Sequence, residues 1–151
     1  MSIVKQEHLA EEVVQDAFMV CYQSLSRFRA QAKFSTWLYR IVVNCSFGAL
    51  RKHKIKHDVI DVALHDVQFD DDAFAGLVKK EREQLIQDSL LKISANEALA
   101  LRLFYLEELS LMEIREITGW TETNTKTILF RGRKSLYGIL SKLMKEDYYG
   151  L

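Results

Sequence analysis

The chain has 151 residues, 48% of them apolar, with no proline, six glycines and equal numbers of Lys plus Arg and Asp plus Glu, 21 of each. That balance argues against a disordered chain and favours helices over sheets. No signal peptide opens the sequence and no apolar run is long enough to span a bilayer, so a soluble cytoplasmic protein without membrane insertion is expected, with Cys21 and Cys45 as small buried thiols in a reducing compartment.

A first helix is predicted from about Gln6 to Leu25, with an apolar stripe of Ala10, Val13/Val14, Ala17 and Cys21 and with Phe18 beside it. Its outer face carries Glu11, Glu12, Gln15, Asp16 and Met19. The next stretch, SLSRFRAQAKF, has no helical stripe and sets Phe28 and Phe34 among Arg27, Arg29 and Lys33. Ser35 is the expected N-cap of a second helix through about Lys54. On that helix Leu38, Ile41, Val42, Cys45 and Ala49 fall on one side, and Thr36, Arg40, Asn44, Phe47 and Arg51 on the other. A face of Arg, Asn, Phe and Arg suits nucleic acid better than water alone, and Trp37 lies at its edge.

Charge is segregated along the chain. Arg27 to His57 holds eight Lys/Arg and no acid, Asp58 to Phe74 holds six Asp and no base, and Lys126 to Lys145 holds six Lys/Arg and no acid. Acid-free basic blocks on helical faces are what a phosphate backbone requires. The acidic stretch between them has no strong period and is read as a linker.

A helix near Ala73–Lys92 follows, then two capping boxes, Ser94-x-x-Glu97 and Ser110-x-x-Glu113. The second opens a short helix, Leu111–Thr118, which Gly119 can end in a left-handed conformation. Thr121 can cap the last helix, to about Lys145. Short helix, glycine turn and long helix make a helix-turn-helix pattern. In the long helix Thr125, Leu129, Gly132, Leu136, Leu140 and Leu143 are predicted to face the core, and Thr123, Asn124, Thr127, Arg131 and Lys134 to face away. Thr and Asn at the start of such a helix are suited to base edges, and the basic residues Lys126, Arg131 and Lys134 to phosphates.

Two segments carry a family resemblance. LAEEVVQDAFMVCYQSLSRFRAQAKFSTWLYRIVVN (Leu9–Asn44) resembles region two of the extracytoplasmic-function (ECF) sigma factors, and LRLFYLEELSLMEIREITGWTETNTKTILFRGRKSL (Leu101–Leu136) resembles region four. The resemblance implies an all-α protein of two small helical domains, residues 1–57 and 75–151, joined by an acidic linker, 58–74, that would run toward the RNA exit path. It implies a transcription initiation factor that binds core RNA polymerase through its beta-prime and beta subunits and reads promoter DNA. Glu12, Gln15 and Asp16 would dock on the clamp helices of the polymerase. Arg27, Arg29, Lys33, Ser35, Thr36, Trp37, Arg40, Asn44 and Arg51 would read and open the minus-ten element. Thr123, Asn124, Lys126, Thr127, Arg131 and Lys134 would read the minus-thirty-five element. An anti-sigma factor is a further implied partner.

The chain departs from the family at three places. It begins almost at the first motif, where the family has a preceding helix. Arg115 stands where a small residue is usual, and so must snorkel or shift the packing, and Ile128 stands where a basic residue is common. No glycine-rich phosphate loop, nucleophile elbow or metal signature occurs, so neither catalysis nor a cofactor is expected. His53-x-x-x-His57 has helical spacing but no third ligand near and lysines around it. A helix-turn-helix regulator acting without polymerase is the alternative, and it would have no use for Leu9–Asn44.

Overall fold

A computed structural model describes residues 3–54 and 79–149, and every ordered element among them is helical. Helix α1 spans Glu7–Ser24 and passes through a 3-10 turn, Leu25–Arg27, into an irregular loop. Helix α2 spans Phe34–Lys54. From residue 79 on come α3 (Lys79–Lys92), α4 (Ala95–Leu101) with a wide π turn at Arg102–Leu106, α5 (Leu111–Thr118) and α6 (Glu122–Tyr149). The expected linker, 58–74, and the start of the helix expected from Ala73 lie outside the described residues.

Both capping boxes form as their spacing predicts. Ser94 accepts from the Glu97 N–H and Ser110 from the Glu113 N–H, and each glutamate reaches back to the N–H of its serine. The expected cap at Ser35 does not form. The first bond of α2 runs from the Trp37 N–H to the Lys33 carbonyl at 3.1 Å, so Ser35 lies inside the first turn. The aromatic rings explain the shift, because Phe34 packs on Phe28 and Trp37 and is drawn into the helix.

The core stripe of α1 is Leu9, Val13 and Ala17, strictly four residues apart. Val14 and Phe18, one residue further on, are rotated by about 100° and remain exposed. Cys21 and Cys45 are half-buried rather than enclosed.

Helix α2 is covered from two sides. One side meets α1. The other carries Val43, which shares a core cluster with Leu99, Leu103, Ile114 and Ile117 from the C-terminal half. Thr36 and Phe47 fall on Val43's side, seven residues before it and four after. Thr36 is accordingly only 5% exposed, and Phe47 packs against that cluster. This corrects the reading that set both on the outer face.

The N-terminal segment closes the same core, with Ile3 and Val4 buried in it. Lys5 donates to the Ile93 carbonyl just beyond α3, and partial burial lowers the ammonium pKa while nearby Glu97 raises it. A second cluster joins α3, α4 and α6 through Leu90, Ile93, Ala98, Leu101 and Leu129, with Trp120 packed against both clusters. Gly132 lets α6 approach α4: a Cβ there would stand 3.1 Å from Leu101 Cγ and 3.3 Å from Glu97 Cβ. Phe47, set among Arg40, Asn44 and Arg51, was the one sign in the sequence that α2 packs on the second half.

Candidate nucleic-acid interface

The loop between α1 and α2 is shaped by its aromatics. Phe28, Phe34 and Trp37 form a closed trio, with ring centroids 5.6, 5.1 and 5.5 Å apart. Offset and edge-on ring pairs of this kind add stability beyond their buried area. Ala30 turns the loop with a φ of 53°. The trio holds the loop's base while Arg27, Arg29 and Lys33 point outward. Trp37 is half-buried in that packing, and Phe34 keeps 46% of its surface exposed. Along α2, Ser35, Arg40, Asn44 and Arg51 are exposed.

Lys33 does not end in solvent alone. Its Nζ lies 2.8 Å from Oε1 of Glu113, the capping glutamate of α5. Glu113 also accepts from the Ser110 N–H and hydroxyl at 3.0 and 2.8 Å. The Lys33 hydrogen bond first, then the two from Ser110, hold the Glu113 carboxyl down to about 2, and the same contact raises Lys33. On α2 the Tyr39 hydroxyl is pushed up to about 12, by burial first and then by the Glu107 carboxylate.

The helix-turn-helix is built from hydroxyl caps. Gly119 ends α5 at φ 74° and donates its N–H to the Arg115 carbonyl at 2.8 Å. Thr118 bonds back to the Ile114 carbonyl and accepts from the Trp120 N–H, which fixes the turn. Thr121 accepts from the Asn124 N–H at 3.2 Å and so caps α6. Thr125 is fully buried, its hydroxyl donated to the Thr121 carbonyl. The crowd of Thr and Asn residues in this stretch therefore divides into caps, a core hydroxyl and an outward group.

That outward group is Thr123, Asn124, Lys126, Arg131 and Lys134, all exposed, with Thr127 half-exposed. The Thr127 hydroxyl donates to the Thr123 carbonyl, and its lone pairs stay available. Lys126 is paired with Glu122 at 2.6 Å. Arg115 swings away from the helix interface and meets Glu122 at 3.5 Å, the snorkelling its length requires. Both contacts hold the Glu122 carboxyl below its usual range, Lys126 more strongly. Ile128 packs against the second core cluster, which accounts for an apolar residue there.

Phe130 was missed by the sequence reading. It is 63% exposed and follows Thr123 and Thr127 at helical spacing, between them and Lys134. The signal was present: 123, 127, 130 and 134 form one i, i+4, i+7, i+11 row.

On α1, Glu12, Gln15 and Asp16 are exposed. Glu12 and Asp16 line a shallow groove with Leu9, Cys45, Lys52 and His53. Burial, then the Asp16 charge, raises the Cys45 thiol. Among the described residues no three His, Cys, Asp or Glu side chains converge as a metal ion would need, and His57 lies outside them.

The family model for Sigma-70 region 2 matches residues 1–55. The ECF RNA polymerase sigma factor SigW of Bacillus subtilis is 34% identical over 141 residues, covering 85% of this chain and 74% of SigW. The chain belongs to the ECF RNA polymerase sigma factors. Another ECF sigma factor of the same organism, SigM, is 26% identical over 147 residues, covering 97% of this chain and 89% of SigM. The fold matches the solved sigma factor RpoE, in complex with the anti-sigma factor NepR from Bartonella quintana, with a TM-score of 0.70 at 23% identity, over 93% of this chain and 86% of that one.

This ECF sigma factor brings its expected residues together in three groups. Arg40, Asn44 and Arg51 share one exposed strip of α2, with Arg27 and Arg29 on the loop before it. Thr123, Asn124, Thr127, Arg131 and Lys134 share the outer side of α6. Glu12, Gln15 and Asp16 share the outside of α1. Thr36 is the residue turned inward. No helix among the described residues is long and apolar enough to cross a membrane.

Proposed function

We propose that this sigma factor acts as a promoter-specificity subunit of RNA polymerase, by binding rather than by catalysis, in the cytoplasm where transcription takes place. Residues 1–57 serve as region two and 75–151 as region four. The α1 face of Glu12, Gln15 and Asp16 docks on core polymerase. The loop with Arg27, Arg29 and Lys33, and the α2 strip of Arg40, Asn44 and Arg51, hold the minus-ten element. Helix α6 reads the minus-thirty-five element, with Thr123, Asn124 and Thr127 at base edges and Lys126, Arg131 and Lys134 at phosphates. An anti-sigma factor is a further partner in this reading, because the solved relative of the same fold is held by one.

The observation that supports it most is the division of α6. Thr125 and Leu129 are locked in the core while Asn124 and its neighbours stand outside, so the first turn is presented rigidly. The test is run-off transcription with core polymerase on a promoter library. Asn124→Ala should lose about 1–3 kcal/mol of discrimination at its base position. Lys134→Ala should weaken all upstream sequences alike and lower the salt slope by about one phosphate. Equal weakening of every sequence by Asn124→Ala would remove its base-reading role.

A further inference from the structure

Helix α1 carries a second apolar row besides its core stripe. Val14, Phe18, Cys21 and Leu25 follow one another at spacings of four, three and four residues, with Tyr22 beside Cys21. Leu25 lies just past the helix but keeps helical dihedrals, φ −59° and ψ −39°. At about 100° per residue, the row stands about 100° round the helix from Leu9, Val13 and Ala17. It stands about 140° from the centre of the group Glu12, Gln15 and Asp16. Phe18 is 73% exposed and Tyr22 84%, with Val14 and Leu25 about half exposed. Val14 also lines an apolar cleft of about 160 Å³ with Ala10, Tyr39 and Val42, so the apolar surface runs on beyond the helix. Single exposed apolar side chains are ordinary, but a contiguous row with two rings marks an interaction site.

The spacing and the charges select the occupant. Followed toward the N-terminus, the same alternation of four and three reaches Glu11 and Glu7. Positions 7, 11, 14, 18, 21 and 25 are then the a and d seam of a heptad repeat, the pattern of one helix packed on another. Glu7 to Ser24 contains Glu7, Glu11, Glu12 and Asp16 and no Lys or Arg, and Arg27 and Arg29 follow directly. The row therefore has carboxylates at one end and guanidinium groups at the other. A second α1 laid parallel would set carboxylate on carboxylate. Laid antiparallel about a two-fold axis between Phe18 and Cys21, it sets Val14 opposite Leu25. It also carries Glu11 to the loop of Arg27 and Arg29 on the other copy, and the symmetry repeats this at the far end. At 150–250 Å² for a whole ring, the exposed parts of Phe18 and Tyr22 come to about 300 Å² in each copy, about 600 Å² in the pair. Val14, Leu25 and the charged ends bring the contact toward the roughly 1,000 Å² of a specific interface. An interface at that limit associates reversibly with concentration.

We propose that this row of α1 is a self-association surface, on which a second copy of the chain packs its own α1 antiparallel. Val14, Phe18, Tyr22 and Leu25 hold the dimer, and Glu11 with Arg27 and Arg29 sets its direction. Glu12, Gln15 and Asp16 stay outside the seam.

Sedimentation velocity of the full chain from about 1 to 100 µM tests it, with neither polymerase nor DNA present. The wild type should pass from monomer to dimer across that range. Phe18→Glu replaces an exposed ring, so the helical circular dichroism should be kept while the dimer midpoint rises at least about tenfold. Glu11→Arg alone should raise the midpoint about tenfold, because it sets like charges together at both ends. Arg27→Glu added to Glu11→Arg puts opposite charges back in register and should recover most of that loss. Cys45→Ala leaves Cys21 as the one thiol. A bismaleimide spanning about 8–10 Å, the distance between packed helix axes, should then join two copies through Cys21, and should fail to do so when Phe18→Glu is added. A monomer throughout the range, or a dimer that Phe18→Glu leaves unchanged, overturns the surface. A dimer that is not linked through Cys21 places the contact elsewhere and overturns it too. Failure of Arg27→Glu to rescue Glu11→Arg overturns the antiparallel pairing.

Discussion

Glu113 shows how one side chain comes to serve two structures. Its spacing from Ser110 made it a capping residue on sight, but its bond to Lys33, 80 positions earlier, depends on how the halves pack. Its carboxyl is held down to about 2, against an ordinary value near 4.5. Between those values the folded protein binds fewer protons at this site than the unfolded chain, so stability rises with pH there. The contribution is complete above about 4.5 and is lost as pH falls toward 2. Thermal unfolding of wild type and Glu113→Gln across that window should show the wild type losing stability more steeply, and parallel curves would remove the linkage. Phe130 makes the opposite case, legible by spacing yet assigned to neither face of the helix. On an exposed reading face an aromatic ring can pack against a thymine methyl. Phe130→Ala should cost about 1–3 kcal/mol at a thymine position of the upstream element and little elsewhere. A uniform loss across all positions would mean that the ring serves packing instead. Thr36 was misread for a related reason, since a hydroxyl beside an arginine reads as a surface residue until Val43 is known to be buried seven positions on.

Among the elements, those with chemical punctuation were the legible ones. Two capping boxes, a left-handed glycine and a threonine cap mark the start of α4, both ends of α5 and the start of α6, and all four formed as read. Helix α2 has no such mark, and its start was misplaced by two residues because ring packing, a tertiary effect, set it. The inner stripe of α1 was placed by period but drawn too broadly, since alternatives one residue apart satisfy a short helical pattern almost equally. Gly119 offers a direct test of the punctuation. At φ 74° any other L-residue brings its Cβ against the following backbone, although open space surrounds the site. Gly119→Ala should therefore cost about 1–2 kcal/mol through the backbone alone. Urea unfolding should show a lower midpoint with an unchanged slope. Gly119→Asn should cost less, because Asn tolerates the left-handed region. If Ala and Asn behave alike, the turn has relaxed and the glycine is not required.

In the whole molecule the decisive feature is a core drawn from both halves of the sequence. The sequence reading found two helical units in their order, with Phe47, an apolar residue among Arg40, Asn44 and Arg51, as the one sign of a packing partner in the second half. Pattern within a helix says which side is apolar, not which distant helix covers it, and α2 has two apolar sides to satisfy. Ile3, Val4, Leu9, Val13 and Val43 from the first half share one cluster with Leu99, Leu103, Ile114 and Ile117 from the second. Such a shared core couples the halves, so loss of one should expose the other and the chain should unfold in a single transition. The two tryptophans make this measurable, because Trp37 packs in the loop of the first half and Trp120 joins both clusters in the second. Variants carrying Trp37→Phe or Trp120→Phe each retain one reporter, and both reporters should give the same urea midpoint. Ile114 is fully enclosed, and Ile114→Ala removes every side-chain carbon beyond Cβ and leaves a cavity, at a cost of about 2–5 kcal/mol. Although Ile114 belongs to α5, the Trp37 midpoint should fall as far as the Trp120 midpoint when Ile114→Ala is added to each single-tryptophan variant. A Trp37 midpoint that stays in place while that of Trp120 drops would show that the halves are stable independently and only rest against each other.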